Sequence, residues 1–224
     1  MKRFSIALLL MAALAMPAFA GPTEFQMGVS AALPFGEYKS SLGGEYTLTP
    51  LTEFLPLTGY VSGTTSDILV KGSFQTFCIE ANEPISGFPA TYYGTLFDGA
   101  SRGTGWLYSQ FAMGSLAGYA WSGNARLNSA YALQQTIWWL EGFAVPPTTP
   151  TNIFSLAILA EFGNLATAQG GSSSEYGVYG LDLFTREQGD VQDMLVFVPD
   201  GGATLMLLGG ALMGLGALRR KLRR

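Results

Sequence analysis

The single cysteine and one glutamine are the residues of this sequence that could do unusual chemistry. The chain has 224 residues, one Cys and no His, which excludes Ser-His-Asp triads, Cys-His pairs and imidazole metal ligands. The lone Cys78 also excludes an internal disulfide and a multi-cysteine zinc site. We therefore expect no metal and no cofactor. Cys78 lies in the alternating segment 74–80, either as a small buried hydrophobic residue or as a reactive thiol.

Gln134 lies in the middle of the apolar face of a predicted helix. At about 100° per residue, Ala130, Ile137 and Trp138 fall within about 60° of Gln134. A carboxamide on such a face needs hydrogen-bond partners, because burying it without them costs about 2–7 kcal/mol. It is either a structural glutamine with satisfied hydrogen bonds or the reaction partner of a nearby thiol.

A thiol and a carboxamide held together in a dry site can condense. The sulfur attacks the amide carbon, ammonia leaves, and an internal thioester remains. Proximity supplies a high effective concentration, and exclusion of water protects the product. The thioester can then acylate an amine or a hydroxyl without histidine or metal.

Two segments resemble the TQXA-type thioester domains of bacterial surface adhesins. Phe77-Cys78-Ile79-Glu80 matches their aromatic-Cys-hydrophobic-acidic motif, and the segment from Leu133 to Trp138 matches their glutamine motif. The resemblance covers roughly residues 74–142. It departs from the family at Leu133, where many relatives have Thr, and at Thr136, which replaces a common Ala.

This resemblance implies roles for five residues. Cys78 would provide the thioester sulfur, and Gln134 would provide the acyl group. Glu80 could orient a nucleophile or cap a strand, whereas Tyr131 and Trp138 would shield the bond. Attachment through such a bond happens once per molecule, so the resemblance implies binding chemistry rather than an enzyme.

The N-terminus has the pattern of a secretory signal peptide. Lys2 and Arg3 precede an apolar stretch over residues 4–16, and Ala18-Phe19-Ala20 provides a small-residue cleavage site. We predict a signal peptide over residues 1–20, cleaved between Ala20 and Gly21, and export by the Sec route. A membrane anchor is the alternative, although the apolar run is short for a bilayer.

The C-terminus contains a second processing signal, predicted over residues 198–224. Val198-Pro199-Asp200-Gly201-Gly202 precedes the uncharged segment 203–218, and five positive charges follow within residues 219–224. This order predicts a single transmembrane helix with the preceding chain outside the cytoplasm.

The tail resembles the sorting tail of PEP-CTERM-type proteins, in the variant with a Val-Pro-Asp-Ser-Gly motif, with Gly201 in place of Ser. The resemblance implies processing by an exosortase-type protease in a Gram-negative bacterium. The protein would be anchored transiently in the inner membrane and then released to the cell surface or extracellular matrix. A permanent single-pass anchor is the alternative.

Charge excludes one class of partner. Lys2, Arg3 and the tail contain seven of the 12 basic residues. Residues 4–218, which lie between these basic ends, have five basic residues against all 16 acidic ones, a net charge of about −11. Such a surface is repelled by phosphate, so we expect no nucleic-acid partner.

The exported region, residues 21–197, is predicted to be an α+β domain. We expect a β-rich scaffold, sandwich-like or barrel-like, with a helical insert, and Glu141 as a solvated helix end. Predicted strands cover 46–48, 59–62, 67–79, 178–184 and 191–198, and predicted helices cover 105–121, 128–141 and 153–168.

Two functions from different classes fit these features. The first is a surface-sorted protein that attaches covalently, through a Cys78–Gln134 thioester, to an amine or hydroxyl on a surface or matrix polymer. The second is a non-reactive matrix or carbohydrate-binding protein, in which exposed Tyr92, Tyr93 and Trp121 contact sugars. A catalytic transamidase using Glu80 as a base is a third possibility, weakened by the absence of His.

Overall fold

Segments rich in β-branched and aromatic residues pair into one antiparallel sheet. The computed structural model describes residues 23–27, 39–40, 43–51, 74–83, 90–143, 151–185, 189 and 191–198. The predicted α+β class is confirmed in this part of the chain. The described strands are β1 (Thr23–Met27), β2 (Lys39–Ser40), β3 (Gly43–Gly44), β4 (Tyr46–Pro50), β5 (Phe74–Thr76), β6 (Ala90–Phe97), β7 (Val178–Phe184) and β8 (Met194–Phe197).

Six strands form the main sheet in the order β5-β4-β1-β6-β7-β8, while β2 and β3 pair with each other. Beyond β5 the chain reaches the opposite edge, where Cys78 forms an isolated antiparallel bridge with Met194. Because this contact is a single bridge and not a ladder, the described strands do not close into a barrel. The barrel-like version of the prediction is therefore wrong for the part of the chain that the structure describes.

The helical insert lies between β6 and β7. Its helices are α1 (Arg102–Ala112), α2 (Gly123–Leu140), α3 (Ile153–Phe162) and α4 (Leu165–Gln169). Polar side chains cap the starts of three of them, including Asn164 at the start of α4. Ser101 accepts a hydrogen bond from the Thr104 N–H at the start of α1, and Asn152 accepts from two backbone N–H groups at the start of α3.

The predicted helix boundaries need three corrections. α1 ends at Ala112, although buried Leu116 and Tyr119 continue the apolar spacing outside the helix. The predicted helix 153–168 is two helices, α3 and α4, with Gly163 as the C-cap of α3. α2 begins at Gly123, five residues before the predicted start. The prediction missed this first turn because its inward-facing residue, Arg126, is charged, and an apolar pattern does not count it.

The core forms between the helices and the sheet. One cluster joins α1, α2 and α3 to the segment around Phe77, where Phe77 and Phe111 meet edge to face with ring centroids 5.0 Å apart. A second cluster contains Tyr46, Cys78 and Trp138 together with apolar residues of β7 and β8. Cys78 therefore lies where the sheet meets α2.

The two predicted processing signals lie outside the described residues, apart from Val198. The predicted strand 59–62 and the predicted transmembrane segment 203–218 also lie outside them. Within the described ranges, no helix combines the length and the hydrophobicity needed to cross a bilayer.

Candidate functional site

Gln134 and Cys78 meet in the interior of the protein. Gln134 lies on the inner face of α2 with none of its surface exposed, and Cys78 is 3% exposed. The Cys78 N–H donates a hydrogen bond of 3.0 Å to Gln134 Oε1. Gln134 Nε2 in turn donates one of 2.7 Å to the Cys78 carbonyl oxygen. The side-chain amide is thus held by both backbone polar groups of the one cysteine.

The strand pairing explains why the N–H and C=O of Cys78 point towards Gln134. On one side, Ile79 N–H donates to Asp193 O at 2.9 Å and Leu195 N–H donates to Phe77 O at 3.1 Å. Cys78 and Met194 are therefore a non-hydrogen-bonded pair. The N–H and C=O of Cys78 point away from β8, and the Gln134 amide binds there as a neighbouring strand would.

Gly43 covers the Gln134 side chain from β3. A Cβ atom added to Gly43 would lie 2.7 Å from Gln134 Cγ and 2.7 Å from Trp138 Cη2. Gly43 also has a φ of +95°, a backbone conformation that side chains rarely adopt. Only glycine therefore lets the chain lie this close to Gln134.

Tyr46 is the residue beside the thiol. It begins β4, pairs with Thr76 on the neighbouring strand β5 and lies in the same buried cluster as Cys78. Burial, and after it the neighbouring thiol, raises the pKa of Tyr46 well above its usual value, so the phenol stays protonated at neutral pH.

Trp138 and Glu80 lie next to this pair. Trp138 is 9% exposed, and its Nε1–H donates 2.9 Å to the Glu80 backbone oxygen, so the indole bridges α2 and the segment after Cys78. The Glu80 carboxyl is half-buried. Burial, with a further contribution from nearby Glu83, raises its pKa.

Tyr131 has a different partner. It is half-buried, and its hydroxyl accepts a 2.7 Å hydrogen bond from Gln135 Nε2. Its described contact is therefore one helical turn along α2 and not with Cys78 or Gln134. Glu141, expected to be a solvated helix end, instead accepts from Ser101 N–H at 3.0 Å and from Thr104 Oγ1 at 2.5 Å. That expectation was wrong because a helix start on another element lies against it.

A buried ion pair next to the site is not predicted by sequence. Arg126 Nε and Nη2 bind Glu45 Oε2 and Oε1 at 2.9 and 3.0 Å, with Arg126 0% and Glu45 1% exposed. The Tyr119 hydroxyl donates 2.8 Å to Glu45 Oε1, and burial followed by the Glu45 charge raises its pKa. Glu45 follows β3 directly, so the pair fixes the Gly43 segment against α2. No spacing rule links residues 81 positions apart, and no signal in the sequence could have found this pair.

The aromatic residues of the sugar-binding alternative are not an exposed set. Tyr92 is 2% exposed. Half-buried Tyr93 stacks on Phe184 with ring centroids 6.0 Å apart, and half-buried Trp121 packs against Phe111 and Tyr119. The expectation that Tyr92 contacts solvent was wrong. Among the described residues, no three His, Cys, Asp or Glu side chains form a group that could hold a metal ion.

The C-terminal tail matches a known sorting motif. Residues 198–222 match the VPDSG-CTERM motif family. This motif indicates a secreted, surface-sorted protein and implies processing by an exosortase-like enzyme. No characterised protein and no solved structure matches the chain. The matched residues come after the exported region, so the thioester reading of Cys78 and Gln134 stays a prediction.

Proposed function

We propose that the exported region forms a thioester between Cys78 Sγ and Gln134 Cδ and uses it for a single covalent attachment to a surface or matrix polymer. The observation that carries this proposal is the pair of hydrogen bonds between the Gln134 amide and the Cys78 backbone. They hold the carboxamide beside the chain's single cysteine in a site closed to bulk water.

The two hydrogen bonds favour the condensation in different ways. The Cys78 N–H is bonded to Oε1, the oxygen that gains negative charge when the sulfur attacks. The Cys78 carbonyl binds Nε2, the leaving nitrogen.

The reaction balances without an added reagent. A bond forms between Sγ and Cδ, the bond between Cδ and Nε2 breaks, and ammonia leaves with the thiol proton. An amine later attacks Cδ, an amide forms, and the Cys78 thiol is regenerated. The amide does not reopen, so each molecule attaches once and the protein is not an enzyme.

Sorting to the surface determines which nucleophiles the protein meets. A secreted, surface-sorted protein encounters amines and hydroxyls of surface and matrix polymers. Burial of Gln134 and Cys78 keeps water from the bond. The approach of a target therefore requires local opening of the β3 segment at Gly43, which lies against Gln134 Cγ.

Thiol labelling during unfolding tests the proposal. Because Cys78 is buried, folded protein would resist alkylation with or without a thioester. The protein is therefore unfolded directly into excess maleimide at mildly acidic pH, with and without earlier methylamine treatment. Gln134→Ala is the test variant, and Gln135→Ala, its neighbour on α2, is the matched control.

We expect wild type and Gln135→Ala to remain unlabelled until methylamine opens the bond. Gln134→Ala should label at once, since its thiol has no acyl partner. Immediate labelling of wild type to the same extent as Gln134→Ala would contradict the proposal. Gln134 would then be a structural glutamine that satisfies the Cys78 backbone.

A further inference from the structure

The chain segment that covers Gln134 is short and ends in an ion pair with α2. Residues 43–45, which we call the strap, consist of β3 and Glu45. At one end of the strap, Gly43 lies so close to Gln134 that no side chain would fit between them. At the other end, the Glu45 carboxylate accepts hydrogen bonds of 2.9 and 3.0 Å from Arg126 on α2. The residue after the strap begins β4 of the main sheet.

We infer that the strap is a gate over the proposed thioester and that the ion pair between Glu45 and Arg126 is its latch, an inference that rests on the proposed function. Arg126 is a positioning residue. It precedes Gln134 by eight residues on α2, or about 12 Å along the helix axis, and touches no reacting atom. It acts by holding Glu45, which in turn keeps Gly43, two residues away, against the buried amide.

Burial makes this latch strong only when both charges are present. Arg126 is 0% and Glu45 1% exposed. The Tyr119 hydroxyl donates 2.8 Å to Glu45 Oε1, and Arg126 Nη1 donates 3.2 Å to the Trp121 carbonyl oxygen. A carboxylate buried without its cation is strongly destabilised, whereas in an open strap it returns to water. Loss of the arginine therefore shifts the strap towards its open state.

The backbone of the strap lets it move without disrupting the main sheet. Gly43 and Gly44 have φ values of +95° and +137°, and glycine adopts these and other conformations at little steric cost. β2 and β3 pair with each other and not with the six-stranded sheet, so opening leaves the ladders of that sheet intact. Lifting Gly43 uncovers Gln134 Cγ, which is bonded to the carbon that an amine attacks. The rate of attack then follows the open fraction of the strap.

The test compares how fast methylamine opens the thioester in wild type and in Arg126→Met, measured by intact mass under native conditions. Removing the latch should raise the rate by about 10²-fold or more, because the open fraction rises by that factor. Ile158→Ala is the control, since it removes fully buried apolar contacts on a different helix, α3. It should lower the urea midpoint of the whole protein and still open near the wild-type rate.

The outcomes separate the latch from the proposed function. If wild type has a thioester and Arg126→Met opens no faster than Ile158→Ala, the latch is overturned and the thioester stands. Wild type without a thioester defeats the proposed function, and hydrogen exchange of residues 43–45 then decides on the latch. Faster exchange in Arg126→Met than in wild type and Ile158→Ala supports it, and equal exchange overturns it.

A milder pair of variants decides if Arg126→Met does not fold. Tyr119→Phe removes the 2.8 Å hydrogen bond to Glu45 and leaves the arginine in place. Tyr108→Phe is matched to it, because it removes a buried hydroxyl that donates 2.7 Å to the Gln75 carbonyl oxygen, away from the strap. Tyr119→Phe should speed both opening and exchange of the strap by about 10-fold, and rates equal to those of Tyr108→Phe would overturn the latch.

Discussion

Replacing Gln134 by Glu should make folding depend on pH in a way that reports the two hydrogen bonds to Cys78. The experiment is best done in a Cys78→Ala background, where no thioester can form and the backbone of position 78 is kept. A protonated carboxyl at position 134 can still accept from the N–H of residue 78 and donate to its carbonyl. An ionised carboxylate can only accept, so it leaves that carbonyl without a donor.

The sign and size of the effect follow from burial. Position 134 is fully buried, so the introduced carboxyl has a higher pKa in the folded than in the unfolded protein. Its stabilising contribution is complete below the unfolded pKa of about 4.3 and is lost as pH rises towards the folded pKa. The loss is about 1.4 kcal/mol per pH unit, or up to about 3–4 kcal/mol by pH 7.

Urea unfolding followed by tryptophan fluorescence, from about pH 4 to pH 8, measures this difference. Gln135→Glu in the same background is the control. Gln135 is half-buried and binds Tyr131, so its variant should follow the parent curve closely. A Gln134→Glu variant whose stability runs parallel to its parent over this range would refute the buried, doubly bonded amide.

Two further variants test what holds the cover over the site. Arg126→Met leaves Glu45 buried without the arginine and should lower the free energy of unfolding in urea by about 3–5 kcal/mol. Adding Glu45→Gln should recover part of this stability. A loss below about 1 kcal/mol in the single variant would contradict the buried pair. Gly43→Ala places a methyl group against Gln134 Cγ and should lower the free energy of unfolding by about 1–3 kcal/mol. Gly123 also has a positive φ, +61°, but open space where a Cβ would lie, so Gly123→Ala should lower the free energy of unfolding by less. Equal losses in the two variants would argue against close contact at Gly43.

Local patterns in the sequence predict the surroundings of Gln134 well. Apolar residues at helical spacing place Gln134 on the inner face of α2, and the structure buries it completely. Alternation around Cys78 predicts a strand-like segment, and β5 and the bridge to Met194 are found there. Both inferences depend on side-chain periodicity, which is a property of neighbouring residues.

Contacts between distant residues are what the sequence does not reveal. The partner of Arg126 lies on a different element, as does Tyr46, which shares a buried cluster with Cys78. The start of α2 is missed for the same reason. Burial of Arg126 is favourable only beside the Glu45 carboxylate, and the sequence does not show that these two residues meet. Glu141 looks like a solvated helix end until the start of α1 is placed against it.

The intact mass of the natively purified protein tests the central claim most directly. The account predicts that wild type is one ammonia lighter than its sequence requires after processing, and that methylamine adds its full mass. Cys78→Ala and Gln134→Ala should show neither change. A wild-type protein of full mass that does not react with methylamine would contradict the thioester and leave a secreted, surface-sorted domain with a structural glutamine.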